Sequence, residues 1–230
     1  MKICLNIIAT GRYTYFLENV ISTARANFFK GSQITYLIHT DSDFFEEKDG
    51  IRINKIEFEP WPNPTLKRFH YFLSAENILR EHDFCFYIDV DSSFSNSVDI
   101  PLDNVEGIIS TLHPGYYGTS GTPERNSSSE AYIPEGSKNR YFCGGFFGGK
   151  TEDFIIMSRE IKKNIDKDLE NSIIAVWHDE SHLNHYLFNN PPKFILGNYF
   201  AISQNQSKKF PNSPIVFLDK NHYQMRNIIP

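Results

Sequence analysis

Apolar and polar positions divide the chain into short buried segments separated by polar turns. Ile3 to Ala9 is an apolar run interrupted by Asn6 and predicts a buried strand. Tyr13 to Phe29 carries Phe16, Val20 and Ala24 at helical spacing and predicts a helix. Ile34 to Thr40 is rich in β-formers, and Ile51 to Phe58 alternates with one slip of phase, as an edge strand would. "PWPNP" at 60–64 marks a turn, Leu66 to Arg80 reads as a helix, and Phe84 to Ile88 as a further buried strand. Strand, helix, two strands, helix, strand is the order of a mostly parallel α/β sheet.

The second half is less regular. Gly107 to Leu112 predicts a short strand, and "GTSGTPERNSSSE" at 118–130 a mobile polar loop. "YFCGGFFGGK" at 141–150 reads as a strand punctuated by glycines. Thr151 to Asp168 predicts a helix capped by Thr151 with Asp153 in its first turn. Asp179 to Phe188 predicts another helix, and Phe194 to Leu196 and Ile215 to Leu218 predict short strands. No internal repeat or linker divides the chain, so a single domain is expected.

Composition narrows the function. Of 230 residues, 40% are hydrophobic, enough for a sizeable core. Aromatics reach 15%, which leaves rings for stacking on sugars or bases. The net charge of -5, with no basic run, argues against a nucleic-acid partner. Cys4, Cys85 and Cys143 lie in apolar runs and form no CxxC pair, as buried reduced thiols do. The first apolar run is too short and polar for a signal peptide or membrane anchor, so a cytoplasmic protein is expected.

Four constellations carry candidate chemistry. Asp89 and Asp91 end a buried strand, where open α/β sheets bind ligands. Alternation lets both point the same way, as hard oxygen ligands for Mn2+ or Mg2+ bridging a diphosphate. The same pattern alone also serves as a turn cap. In "VWHDESHLNHY" at 176–186, His178, His182 and His185 recur at helical spacing, but Asp179 stands where a zincin carries Glu. Asp179 and Glu180 suit the first turn of a helix, and Trp177 suits either core or a sugar platform. The paired glycines of "RYFCGGFFGG" mark either a bulge or close approach of a ligand. In the tail "DKNHYQMRNIIP", Lys220, His222 and Arg226 either fray or close over phosphates.

These segments, in order, resemble glycosyltransferase family 6, which includes the histo-blood-group A and B transferases and the α-1,3-galactosyltransferases. The likeness rests on "YIDVD" (87–91), "HPGYYGTS" (113–120), "EAYIPEG" (130–136), "YFCGGFFGG" (141–149), "AVWHDESHLNHYL" (175–187) and "KNHYQMRN" (220–227). It implies a GT-A fold and retaining transfer of a sugar from a UDP-sugar to an oligosaccharide acceptor. It divides the domain into a nucleotide-binding half, 1–91, and a donor-sugar and acceptor half, 92–230. By resemblance Asp89, Val90 and Asp91 form the Mn2+ motif, and Ile8, Ala9 and Tyr13 surround uracil and ribose. Arg68 lies beside the donor sugar, whose pocket Cys143, Gly144 and Gly145 shape. His113 and Trp177 match acceptor contacts. Glu180 matches the candidate nucleophile, with Asp179 beside it holding the donor sugar. Lys220 and Arg226 match the tail over the diphosphate.

The sequence departs from the vertebrate pattern. It opens directly on the catalytic domain, as bacterial or phage members do, and keeps both aspartates, which many bacterial members replace. "NYFAI" at 198–202 lacks the Trp-Asp that contacts the acceptor in vertebrate enzymes, and Cys143 is unusual at its position. Gly145 resembles the A-type enzyme and implies UDP-GalNAc ahead of UDP-Gal. Two other classes remain as alternatives: a zinc hydrolase built on His178 and His182, and a non-catalytic carbohydrate-binding module.

Overall fold

The computed structural model describes residues 1–226. Its first strand, β1 (Lys2–Ile8), is buried from Ile3 onward, as expected of a parallel strand covered on both faces. There follow α1 (Leu17–Asn27), entered through a 3-10 turn at Gly11–Phe16, β2 (Gln33–Thr40), β3 (Ile51–Lys55), α2 (Asn63–Leu66), α3 (Arg68–Ser74), α4 (Glu76–Leu79), β4 (Phe84–Asp89) and β5 (Ser92–Phe94). The second half contributes β6 (Ile108–Leu112), β7 (Phe142–Lys150), α5 (Thr151–Glu170), α6 (Asp179–Asn189), β8 (Phe194–Leu196), β9 (Ala201–Ser203), β10 (Ile215–Phe217) and α7 (His222–Met225). The main sheet has seven strands in the order β3-β2-β1-β4-β7-β6-β8, and β5-β10-β9 form a small second sheet. Among the described strands of the main sheet, β7 alone runs against its neighbours, β4 and β6. The α/β, mostly parallel architecture is therefore the one expected.

Strand alternation sorts the core into two layers. Ile3, Leu5, Ile7, Phe86 and Ile88 pack with Phe28, Phe94 and Phe146 on one face. Cys4, Ile8, Cys85 and Tyr87 pack with Phe69, Phe72 and Phe154 on the other. Asn6, which interrupts the apolar run, is fully buried and satisfied. Its amide donates to the Phe86 carbonyl at 3.0 Å, and its side-chain oxygen faces His39 Nε2 at 3.2 Å. Asn54 Nδ2 donates to His39 Nδ1 at 2.9 Å. Burial lowers the His39 pKa to about 3, so the ring is neutral and links β1, β2 and β3 through one polar chain.

Several boundaries depart from the sequence-based expectation. The helix expected over Tyr13 to Phe29 begins as a 3-10 turn, and the one expected over Leu66 to Arg80 is broken into α2, α3 and α4. The "PWPNP" turn runs directly into α2 at Asn63. Thr151 does not cap α5: it is the first helical residue, and its hydroxyl donates to the His82 carbonyl at 2.7 Å. The strands β5 and β9 were not expected; each is only three residues long and carries no clear alternation. The polar stretch 118–130 is irregular, yet its second half is anchored. Ser129 Oγ donates to Asp168 Oδ2 at 2.5 Å, and Val176 N–H donates to the Glu124 carboxylate at 2.7 Å.

Two features of the sheet position the candidate functional residues. After β3 the chain crosses to the other side of β1, so β1 and β4 flank a topological switch point. Their ends lie in register, Ile8 opposite Asp89, and the crevice beyond such ends is where α/β sheets bind ligands. The second feature is a bulge in β7. Between two paired positions β6 advances from Ser110 to Leu112 while β7 runs from Phe147 back to Phe142. The surplus residues include Cys143, Gly144 and Gly145, which are released from ladder pairing with β6 and presented at the crevice.

The glycines of β7 divide by role. A β-carbon on Gly148 would lie 2.3 Å from Phe86 Cδ1 and 2.5 Å from the Cys85 carbonyl oxygen, inside the core. Gly148→Ala should lower the unfolding free energy by about 1–3 kcal/mol through overpacking, read as a drop in urea midpoint at unchanged m-value.

Candidate active site

Asp89 ends β4 on the face that carries Cys85 and Tyr87. Tyr87 Oη donates to Asp89 Oδ1 at 2.7 Å. Arg68, at the start of α3, reaches across the same face. Its guanidinium lies over the Tyr87 ring, 4.1 Å from the centroid, donates to the Gly144 carbonyl, and approaches Asp89 Oδ1 at 3.4 Å. Its Nε lies 3.0 Å from Asp179 Oδ2. That approach is off the hydrogen-bonding axis, so it acts as a charge contact. Burial alone would lower the Arg68 pKa, but Asp179, Tyr87, Asp89 and Glu180 outweigh it and hold the group charged.

Asp179 and Glu180 open α6, where the helix dipole favours negative charge. Asp179 is 1% exposed, and burial raises its pKa to about 7 against the pull of Arg68. Glu180 Oε2 accepts the Gly144 N–H at 2.7 Å; burial raises its pKa, and that hydrogen bond opposes the rise. Gly144 therefore bridges the site through both its groups, its carbonyl to Arg68 and its N–H to Glu180. His178, just before the pair, has φ +52°. A side-chain-bearing residue held there stores about 1–3 kcal/mol of strain, a pattern common at functional sites. Its ring meets Trp61 edge-on at 5.1 Å.

These groups line two adjoining clefts. One is bounded by Ile8, Tyr13, Trp61, Val90, Met225 and Arg226. The other is bounded by His113, Cys143, Gly144, Gly145, Trp177 and Glu180. Thr65, Arg68, Asp89, Asp91 and Lys220 line both and stand at the junction. Asp91 is buried, and its Oδ2 is paired with the Lys220 ammonium. Arg226 lies over Trp61 at 4.4 Å, and its Nε is buried without a hydrogen-bond partner among the described residues. The donor set fits a hard divalent cation: two carboxylates face one junction, and a cation, Lys220, already sits against one of them.

The sequence-predicted residues converge with few exceptions. Ala9 lies next to the cleft in sequence, but its side chain is fully buried in the core. Residues 227–230 of the tail lie outside the described residues. The histidines do not form a common face. His182 is buried beside Asp168 at 3.4 Å, His185 Nδ1 contacts the Tyr132 carbonyl at 2.8 Å, and His178 turns to Trp61. The half-buried ring of His113 packs 4.7 Å from Tyr116, and burial lowers its pKa to about 4. Trp177 is 45% exposed and donates from Nε1 to Thr122 at 2.6 Å. Sequence reasoning missed Tyr87, Trp61 and Phe217. Tyr87 looked like a core residue of its strand, Trp61 like part of a turn, and Phe217 belongs to a three-residue strand with no pattern of its own.

A mostly parallel sheet with one reversed strand, a carboxylate pair at its switch point and a divided cleft beyond are consistent with a glycosyltransferase of the GT-A type. The chain belongs to glycosyltransferase family 6, whose sequence profile matches residues 1–227. It is 29% identical, over 99% of its length and 70% of the relative's, to a Gallus gallus globoside alpha-1,3-N-acetylgalactosaminyltransferase 1. It is 30% identical to histo-blood group ABO system transferase 1 of Rattus norvegicus, over 97% of this chain and 68% of that one. It is 28% identical to the Escherichia coli O-antigen biosynthesis glycosyltransferase WbnI, over 85% of this chain and 86% of that one. Among the described residues no helix is long and apolar enough to cross a membrane.

The buried Asp179 makes stability depend on pH. Its pKa of about 7 lies above the ordinary 3.8, so between those values the folded chain holds a proton that the unfolded chain has released. Stability should therefore fall as pH rises through this window, by up to about 1.4 kcal/mol per pH unit. Urea midpoints of the ligand-free protein across the window should show this slope, and Asp179→Asn should flatten it, leaving the smaller contribution of Glu180, whose pKa burial also raises.

Proposed function

We propose that this chain is a retaining α-1,3-glycosyltransferase. It moves GalNAc, and more slowly Gal, from a UDP-sugar to a β-galactoside acceptor, fucosylated or plain. The observation that carries the reading is the junction of the two clefts. Arg68, Asp89, Asp91 and Lys220 stand between a cleft with aromatic and apolar walls and a second one holding Asp179 and Glu180. A diphosphate at the junction would put its nucleoside on one side and its sugar on the other. The names of the related transferases support GalNAc and an α-1,3 linkage.

Each residue then has a physical role. Ile8, Tyr13 and Val90 hold the nucleoside, and Tyr13 offers its ring for stacking. Asp89 and Asp91 hold Mn2+ or Mg2+, which when bound neutralises charge on the leaving diphosphate. Lys220 and Arg226 supply fixed positive charge to the same phosphates. Arg68 and Asp179 orient the donor sugar, and Cys143, Gly144 and Gly145 leave room for it. As the glycosyl–phosphate bond breaks, its electron pair goes to the phosphate oxygen and positive charge develops on the sugar. Glu180 stabilises that charge from the sugar-side cleft, and the acceptor hydroxyl, positioned by His113 and Trp177, forms the new bond as its proton passes to the departing phosphate oxygen. The scattered histidines favour this reading over a zinc hydrolase.

Chelator should abolish transfer, and Asp91→Asn should weaken Mn2+-dependent activity, because two carboxylates without a cation repel a diphosphate. Glu180→Gln should keep UDP affinity, measured by calorimetry, while turnover falls by about 100-fold or more. Full activity in excess chelator, or near-normal turnover of the Gln variant, would remove the corresponding residue from the mechanism.

One contact favours a second reading, with UDP-Gal as the better donor. A β-carbon on Gly145 would lie 2.6 Å from Phe217 Cζ and 3.0 Å from Asp89 Oδ2. Phe217 thus narrows the donor-sugar pocket beside Gly145, where a 2-acetamido group needs space. Gly145→Ala should shift the ratio of specificity constants toward UDP-Gal by about 1–3 kcal/mol, and Phe217→Ala should shift it toward UDP-GalNAc.

A further inference from the structure

Three donors of different chemistry meet in the sugar-side cleft. A ring nitrogen of His113, the sulfur of Cys143 and a carboxylate oxygen of Glu180 lie within 4.8 Å of one another. They come from three elements: the residue after β6, the bulge of β7 and the first turn of α6. All three residues line the same cleft, so solvent has access to the point they face.

We propose that His113, Cys143 and Glu180 form a soft-metal site, selective for Zn2+ and separate from the Asp89–Asp91 pair. Imidazole, thiolate and carboxylate are zinc's own ligand types, and three protein ligands leave a fourth position open to water. The thiolate discriminates. Sulfur favours zinc over the hard cations that two carboxylates prefer. Ligand atoms around tetrahedral zinc sit roughly 3.5 Å apart, so the three side chains need only small adjustments to close on an ion.

The surroundings already orient the set. Gly145 N–H points at Cys143 Sγ at 3.3 Å, and Gly144 N–H holds Glu180 Oε2 at 2.7 Å. Asn198 Nδ2 donates to the His113 carbonyl at 2.9 Å and fixes the backbone there. Gly115 N–H donates to His113 Nδ1 at 3.0 Å. A metal at Nδ1 displaces that hydrogen bond; a metal at Nε2 moves the ring proton to Nδ1 and breaks it as well. Either route exchanges one neutral hydrogen bond for a coordinate bond. On entry the Cys143 thiol gives its proton to solvent, its sulfur lone pair forms the bond to the metal, and the ion sheds waters.

A metal here would tie up Glu180 and block the sugar pocket, so zinc should inhibit transfer. That consequence rests on the role proposed for Glu180; the binding itself does not. The test is titration of the full chain, without donor, with Co2+ as the spectroscopic substitute for zinc. One equivalent should produce a thiolate-to-cobalt charge-transfer band that stoichiometric Zn2+ bleaches. The band should vanish in Cys143→Ser and survive in Cys4→Ala, Cys85→Ala and Asp91→Asn. His113→Ala should weaken Co2+ affinity by roughly tenfold or more. Retained UDP binding would show that Cys143→Ser is folded, and Cys143→Ala gives a second variant should it not be. No band, or a band that survives loss of the Cys143 sulfur, overturns the site. A band lost with Asp91→Asn overturns its separateness. If the band forms and transfer in excess Mn2+ continues with the site filled, the metal site stands and the role of Glu180 falls.

Discussion

The guanidinium of Arg68 is the contact on which the site depends. It is a buried cation, and a buried cation is tolerable only when paired and hydrogen-bonded. Its partners come from separate parts of the chain: Asp89 from the end of β4, the Gly144 carbonyl from the bulge of β7, and Asp179 from the first turn of α6. The Tyr87 ring supplies a face beneath it. Without this one positive charge, Asp89, Asp179 and Glu180 would confront one another across the cleft. With it, three acids share a small volume and their backbones are held at fixed separations.

The backbone itself carries much of the geometry. The bulge of β7 frees Gly144 to bind Arg68 with its carbonyl and Glu180 with its N–H, which a residue paired on both sides of a sheet could not do. His178 holds a conformation that side chains rarely adopt, and it turns the chain so that α6 begins with its acids facing the junction. These are local departures from regular structure, each next to a functional group, within a sheet that is otherwise regular.

The sequence made the long strands legible, because burial on both faces forces continuous apolar runs such as Phe84 to Ile88. It also made Asp89 and Asp91 conspicuous, since carboxylates at the end of such a run have no packing role. The helix over Leu66 to Arg80 was read as continuous because its apolar spacing is unbroken; the chain interrupts it at Lys67 and Ala75. Thr151 has the chemistry of a cap but spends its hydroxyl on His82, a tertiary choice that spacing does not encode. Asn6 looked like a flaw in a strand, yet it is one end of a satisfied polar chain through His39 and Asn54. Phe217 was out of reach for another reason: its importance lies in what it touches across the cleft. The site residues assigned by resemblance came from seven separated segments, and local pattern alone singled out four of them, without the residues around Ile8, Arg68 or His113.

The wide spacing of these segments bears on how the protein is made. Pairings between β1 and β2 use neighbouring stretches of chain and can form early, whereas β4 must wait for β7, and Asp91 must wait for Lys220. Contacts between distant positions carry a loop-closure cost before they return any stabilisation, which slows folding. During synthesis the first half of the sheet can assemble while the junction still lacks Gly144, Asp179, Glu180 and Lys220. The nascent chain then exposes the β4 edge, with Phe84, Phe86 and Ile88 on one of its faces, until β7 arrives to cover it. That interval is when a chaperone would be most useful to this protein and when misassociation would be most damaging.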